Sequence, residues 1–156
     1  MKIEELPLDM WKTPHKIFPV TKDRKIVLYQ IKEMTMGNDM GFLAVAEGEK
    51  VLFKSNLCYH AWEDPIILGN RFAIITHSRR IDDKIFVSHL THHVYDLENL
   101  NLTIVDIGKI KAGGYKYQKE MKFGLSGNKI TIDSKRYNWP KFDWQALSDI
   151  EEFESM

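Results

Sequence analysis

Short runs of alternating apolar and polar residues, separated by turn residues, constrain the fold of this chain more than any other feature. Residues 25–33 alternate around β-branched and aromatic side chains, a pattern typical of a half-buried strand. Two such runs flank residues 47–50, and two others flank Ser126-Gly127-Asn128, a sequence that favours a tight turn. The pattern predicts a mainly β fold of antiparallel hairpins, in a propeller-like, barrel-like or sandwich arrangement.

Nine segments carry this strand pattern, and most of them form a candidate hairpin with a neighbour in sequence. Pro65 and Gly69 isolate one short apolar run from the segments on either side of it. The predicted strands are residues 25–33, 42–46, 51–55, 66–68, 72–78, 84–90, 101–107, 121–125 and 129–133.

The two ends of the chain depart from the strand pattern. Pro7, Pro14 and Pro19 prevent a long helix in residues 1–22, so we predict an irregular arm there. In residues 142–155, apolar residues recur every three positions after Asp143, which can cap a helix. This spacing, carried by Trp144, Leu147, Ile150 and Phe153, predicts a short helix that docks on the sheet. Residues 1–156 are predicted to form a single domain.

Cysteine use and hydropathy indicate where the chain works. The only cysteine is Cys58, which excludes an intrachain disulfide and a thiolate-rich zinc site. The opening residues lack the basic start and apolar run of a secretory leader. No run approaches the roughly 18 apolar residues that a membrane helix needs. We therefore expect a soluble, cytoplasmic protein that has no contact with the membrane.

Charge is balanced over the whole chain but unevenly distributed along it. Lysine and arginine number 22, and aspartate and glutamate also number 22. Residues 109–141 are strongly basic, whereas residues 142–156 contain acids and no base. The basic stretch can attract phosphate or an acidic partner, or its lysines can lie on the solvated faces of strands. The overall balance argues against a dedicated nucleic-acid binder.

Histidines are the most concentrated candidates for chemistry. Five of the six lie between residues 60 and 93: His60, His77, His89, His92 and His93. Two rings on adjacent strands could act as an acid–base pair or share a metal, although ordinary strand and turn histidines explain the pattern equally well. His92 and His93 are neighbours and point to opposite faces of a strand. The spacing matches no metal-ligand motif, so we expect no metal.

Motifs for other chemistry are absent from the sequence. Cys58 and His60 are too close in sequence for a typical Cys–His catalytic pair, and Cys58 is better explained as a small core residue. No Gly-x-Ser-x-Gly motif, phosphate-binding loop or dinucleotide fingerprint occurs, and Gly113-Gly114 fits a turn. We expect no cofactor.

Acidic doublets and spare aromatic residues point instead to a protein partner. Such carboxylates can steer association with a basic cleft, hold a divalent cation, or simply form solvated loop tips. Tryptophan and tyrosine are the natural anchors of an interface. The predicted partner-binding residues are Trp62, Glu63, Asp64, Arg79, Arg80, Asp82, Asp83 and Tyr95.

These observations favour a non-catalytic protein that binds one other protein. Its specific form would be an immunity- or antitoxin-type inhibitor, which neutralises a toxic enzyme by stoichiometric binding and steric occlusion. One alternative is a small hydrolase or ribonuclease-like enzyme that uses a cluster of His77, His89 and His92. Another is a structural subunit of a larger assembly, for which a broad exposed apolar patch is expected.

Overall fold

The computed structural model describes residues 1–32, 40–60, 63–82, 87–111 and 118–150, except for the side chains of residues 60 and 80–82. Strands make up 61% of the structure, so the predicted mainly β fold is confirmed. The strands are β1 (Lys16–Pro19), β2 (Arg24–Lys32), β3 (Met40–Glu47), β4 (Lys50–His60), β5 (Ile66–Leu68), β6 (Phe72–Asp82), β7 (Val87–Asp96), β8 (Asn101–Lys111), β9 (Phe123–Ser126), β10 (Lys129–Ile132), β11 (Lys135–Asn138) and β12 (Gln145–Ala146).

The strands form three antiparallel sheets. The first sheet has the order β1-β2-β3-β4, the central sheet has the order β12-β8-β7-β6-β5, and the third sheet has the order β11-β10-β9. None of these sheets closes into a barrel. The predicted turns at residues 47–50 and 126–128 join β3 to β4 and β9 to β10, and Gly48 and Gly127 adopt the positive φ that such turns require.

The central sheet is buried on both faces. Along β6, Ala73 and Ile75 join a core shared with the first sheet, whereas Phe72 and Ile74 join a core shared with the third sheet. This division follows from the alternation of side chains along a strand. The three sheets are therefore stacked, and each of the two interfaces between them holds an apolar core.

The first 20 residues are more ordered than the irregular arm predicted for residues 1–22. Residues 1–3 hydrogen-bond to the edge of β4, and Val51 N–H donates to the Met1 carbonyl at 2.8 Å. Ile3 and Leu6 then pack on the outer face of the first sheet, and β1 pairs with β2 at the opposite edge. We call residues 1–15 the strap, because they cross the first sheet from one edge to the other.

The predicted C-terminal helix of residues 142–155 is wrong. Among the described residues, this part of the chain has only 3₁₀ turns, at Trp139–Lys141 and Leu147–Asp149, and the short strand β12. Pairing of β12 with β8 carries the chain over the sheet edge, so Trp144 packs in the third-sheet core and Leu147 packs in the first-sheet core. Apolar residues three positions apart therefore pack on the two faces of the central sheet, rather than along one face of a helix. Phe153 lies outside the described residues.

Two arginines join the layers and fix their relative direction. Arg24, at the start of β2, donates to the carbonyls of Leu97 and Glu98 just beyond the end of β7. Arg71 binds both carboxylate oxygens of Asp96, and its guanidinium lies 4.6 Å from the centre of the Trp139 ring. Because Arg24 brings the start of β2 to the end of β7, the end of β2 and the start of β7 share the opposite end of the molecule.

In the part of the chain that the structure describes, no helix is both long and apolar enough to cross a membrane.

Candidate functional site

The central sheet carries polar side chains at the end away from Arg24, which we call the histidine end. Residues directly opposite each other in antiparallel strands point to the same face, so the register of β6, β7 and β8 arranges their side chains in rows. The face that packs on the first sheet is the inner face. From the core towards the histidine end, its rows are Ala73, Tyr95 and Leu102; Ile75, His93 and Ile104; His77, Thr91 and Asp106; and Arg79, His89 and Lys109, beyond which Val87 pairs with Asp82 and Lys111.

A β-bulge in β8 completes the row of His77 and the row of Arg79. In a regular strand, residues three apart point to opposite faces, so Asp106 and Lys109 would be separated. Here Thr91 pairs with Asp106 and Leu90 pairs with Gly108, so Ile107 is the extra residue of the bulge. Gly108 adopts a φ of +96°, which favours glycine. The bulge thus places Asp106 and Lys109 of β8 on one face, beside His89 of β7.

The innermost histidine belongs to a buried hydrogen-bond chain. The Tyr59 hydroxyl bonds to both the Tyr95 hydroxyl and His93 Nδ1 at 2.8 Å, and His93 Nε2 bonds to the Thr91 hydroxyl at 3.0 Å. Burial, together with the charges of His77 and His92, lowers the pKa of His93 to about 3. Burial also raises the pKa values of Tyr59 and Tyr95. These groups are neutral at physiological pH, so they stabilise the core rather than carry charge to a ligand.

The next two histidines lie nearer the surface. The His77 ring centre is 5.5 Å from that of His93 and 5.8 Å from that of Tyr59. His89 Nε2 lies 2.7 Å from Asp106 Oδ1, and both side chains are accessible to solvent. A carboxylate in this position fixes the orientation of the imidazole. The inner face therefore presents two histidines, one of them oriented by an acid.

His92 does not join His77 and His89. Its side chain lies on the other face of the central sheet, where its Nδ1 bonds to the Thr76 hydroxyl at 2.9 Å and its ring contacts Phe123. Burial lowers the pKa of His92 to about 4. The structure thus brings His77 and His89 to one face and buries His92 on the opposite one. Among the described residues, no group of histidine, cysteine and acidic side chains has the arrangement of a metal site.

Gln118 explains the position of two of the predicted partner-binding residues. Its side chain accepts from Thr76 N–H at 2.7 Å and donates to the Asp64 carbonyl at 2.9 Å, so its amide takes the place of a strand peptide beside β6. Its own backbone N–H donates to the Glu63 carboxylate at 2.9 Å. Burial raises the pKa of Glu63, although this hydrogen bond opposes the rise. Glu63 is therefore a structural ligand of residue 118, and Asp64 remains exposed beside it.

The other predicted partner-binding residues are placed as follows. Tyr95 is fully buried and offers no surface to a partner, whereas Arg79 is half-buried beside His89 on the inner face. Trp62 and Asp83 lie outside the described residues, as do the side chains of Arg80 and Asp82 on β6.

A different exposed aromatic residue lies on the strap. Met10 and Trp11 are 80% and 64% exposed at the tip of a turn. The Asp9 carboxylate closes this turn by accepting from the backbone N–H and the hydroxyl of Thr13 at 2.8 and 2.7 Å. Burial alone would raise the pKa of Asp9, but these hydrogen bonds and the charge of Lys32 lower it overall. Because Lys32 ends β2, the strap turn lies towards the histidine end.

Trp11 is not among the partner-binding residues predicted from the sequence. The signal that could have identified the turn is an aspartate four residues before a threonine, with proline directly after that threonine.

The single thiol has no activated character. Cys58 is exposed on β4, and partial burial raises its pKa despite the charge of Lys32. A reactive cysteine requires a lowered pKa, so the structure gives Cys58 no role as a nucleophile.

Compared with protein-family models, with curated proteins and with solved structures, the chain matches none of them.

Proposed function

We propose that this protein binds one other protein and acts as an immunity- or antitoxin-type inhibitor, which neutralises a toxic enzyme by stoichiometric binding. The observation that carries the proposal is the strap turn, which holds Met10 and Trp11 in solvent on a closed loop. Tryptophan is among the residues that contribute most to protein interfaces when it enters a pocket of the partner.

The strap turn is also ordered before any partner arrives. The Asp9 hydrogen bonds fix one side of the turn, and the pairing of β1 with β2 fixes the chain that follows it. A pre-ordered loop loses less conformational entropy on binding than a free one, so more of the contact energy appears as affinity. Leu8 and Ile17 are exposed on the flanking segments and extend the apolar surface.

Acidic residues at this end of the molecule would also help it to cover the cleft of an enzyme. Asp64 is exposed beside Gln118, and Asp82, which Asp83 follows in the sequence, is the last residue of the strand that carries Arg79. Carboxylates at the rim of an interface accelerate association with a basic cleft. In this proposal Trp11 takes the role of anchor that the sequence suggested for Trp62 or Tyr95.

The test is a comparison of the wild-type protein with Trp11→Ala and with Ile107→Ala, which removes exposed apolar surface at a different place. We expect affinity capture to isolate one dominant enzyme, whose activity the wild-type protein abolishes at equal stoichiometry. Trp11→Ala should weaken this complex by about 2 kcal/mol, or roughly thirty-fold, whereas Ile107→Ala should not. Equal binding by wild type and Trp11→Ala, or a captured enzyme that stays active, would contradict the proposal.

The arrangement of His89 and Asp106 favours one second candidate, a small hydrolase or ribonuclease-like enzyme. His77 lies in the neighbouring row and could act as the second acid–base group, without His92. The two candidates separate in one experiment. If His77→Ala and His89→Ala remove a phosphodiesterase activity of the purified protein, the enzyme is supported; if both variants still neutralise the captured partner, the inhibitor is supported.

A further inference from the structure

We infer that the row of the inner face formed by Arg79, His89 and Lys109 binds a phosphate group of a ligand. This site goes beyond the proposed inhibitor function, because it requires neither the strap turn nor a protein partner. We call it the cationic row.

The register brings three different cation-forming groups into a compact line. Arg79 pairs with His89, and His89 pairs with Lys109, on three consecutive strands. Neighbouring strands are about 4.8 Å apart, so the three side chains start within roughly 10 Å of one another on the same face. The oxygens of one phosphate can accept hydrogen bonds from an arginine guanidinium, an imidazole N–H and a lysine ammonium group that lie this close together.

The neighbouring row prepares His89 for this role. The Asp106 carboxylate lies at hydrogen-bond distance from His89 Nε2, which leaves Nδ1 as the ring atom for a ligand. When both ring nitrogens carry a hydrogen, Nδ1–H can donate to a phosphate oxygen. Asp106 is the one acid in the His77 and Arg79 rows, and it faces two bases and a second histidine.

The bulge at Ile107 and Gly108 is the second observation that supports a site here. It interrupts the regular pairing of β7 and β8, and it is the reason that Lys109 shares a face with Asp106. Bulges often occur beside functional sites because they redirect a side chain. The Cβ of an alanine at position 108 would meet no atom within 4 Å, so glycine is needed there for its φ of +96° and not for space.

The ligand we infer is phosphate-bearing, either a small phosphate or the backbone of a single-stranded nucleic acid, and the probes distinguish the two. Isotope-edited NMR would follow the backbone amides of β6, β7 and β8 during titration with inorganic phosphate and, separately, with a short single-stranded oligonucleotide. Shifts centred on residues 79, 89 and 109 with either probe are expected. Response to phosphate indicates a small-anion site, and response to the oligonucleotide alone indicates a site for a polyanion, whose affinity falls steeply with salt.

Three variants test the assignment. Lys109→Gln should weaken binding of the responding probe by about tenfold or more, the size expected for a lost charge-assisted hydrogen bond. Lys135→Gln makes the same charge change on exposed β11 of the third sheet and should leave affinity unchanged. Gly108→Ala disfavours the bulge while keeping every charge, and it should weaken binding in the same direction as Lys109→Gln.

The inference is overturned if neither probe shifts these amides, or if Lys109→Gln and Lys135→Gln weaken binding equally. Binding of only an acidic protein at this row would also overturn it. Because Trp11→Ala leaves the cationic row intact, its effect on partner capture tests the inhibitor proposal separately from this one.

Discussion

At the scale of single residues, two neighbouring histidines show how a β-strand divides similar side chains between different environments. His93 is buried between the first and central sheets, where Tyr59 and Thr91 bond to its ring. His92 faces the third sheet and bonds to Thr76. Both rings are held in the neutral form, since burial penalises the charged form and outweighs the opposing effect of the Asp133 charge on His92.

We expect these two histidines to make the protein acid-sensitive. In the unfolded chain they take up protons as the pH falls through about 6.5, but in the folded protein they do so only near pH 4 and pH 3. The unfolded state therefore binds more protons in this window, and stability falls as the pH falls below about 6.5. Each proton contributes a slope of about 1.4 kcal/mol per pH unit.

Urea unfolding between about pH 7 and about pH 5 measures this slope. A double variant, His92→Gln and His93→Gln, should have a shallower decline than wild type, because glutamine does not titrate. The other titratable residues are the same in both proteins, so the difference in slope isolates the histidines. Parallel curves for the two proteins would contradict the expectation.

At this scale, the sequence could predict to which face of a strand a side chain points, but not which groups surround that side chain. Alternation alone placed His92 and His93 on opposite faces. It could not predict that Tyr95 would be fully buried or that Glu63 would accept a backbone hydrogen bond from residue 118, because both depend on segments that are distant in sequence. For the same reason, exposed Trp11 was missed: its exposure depends on the Asp9 turn and on the path of the strap.

At the scale of structural elements, one side chain extends a sheet. β5 ends its pairing with β6 at Ile66 and Ile74, so the next unpaired N–H on β6 that faces this edge is that of Thr76. The Gln118 amide fills this place and links Thr76 to the Asp64 carbonyl. The segment that enters the third layer is thereby anchored to the edge of the central sheet.

Gln118→Ala should destabilise the protein, because it leaves Thr76 N–H and the Asp64 carbonyl unpaired. We expect a loss of about 1–3 kcal/mol for each group that water cannot reach. Hydrogen exchange followed by NMR should show lower protection of the Thr76 amide, with little change at residues on β8. Gln145→Ala, at an exposed glutamine on β12, is the matched control. Unchanged protection of Thr76 would contradict the role assigned to Gln118.

Strands were predictable from the sequence where turn residues lie at both ends of a run of alternating apolar and polar residues. The hairpin around residues 47–50 and the turn at 126–128 were identified correctly, and Ile66–Leu68 was matched at both ends. Strands β6, β7 and β8 are longer than predicted, because pairing to neighbours continues past the apolar residues. The C-terminal spacing was ambiguous, since a period of three fits one helix face as well as a chain that crosses a sheet edge.

At the scale of the whole molecule, the two apolar cores share one sheet. Adjacent residues of β6 point into different cores, so the central sheet contributes side chains to both cores. Disruption of either core therefore exposes one face of the central sheet. Arg24 and Arg71 add polar links from the central layer to the first and third layers. The layers are therefore coupled mechanically through the strands of the central sheet.

We expect the three layers to unfold in one cooperative transition. Tryptophan fluorescence reports on the third layer through Trp139 and Trp144, which contact Phe72 of the central sheet, whereas far-ultraviolet circular dichroism reports on all the strands. The two signals should have the same urea midpoint and the same slope. Loss of fluorescence at a lower urea concentration would indicate that the third layer separates first.

The path of the strap has a practical consequence for any binding measurement. Residue 1 is held beside Val51, at the end of the sheets where Arg24 meets Leu97, while Trp11 and the cationic row lie towards the other end. A biosensor linker or resin joined to the amino terminus would thus face away from both candidate surfaces. Immobilisation in that orientation leaves each of them open to the bulk solution.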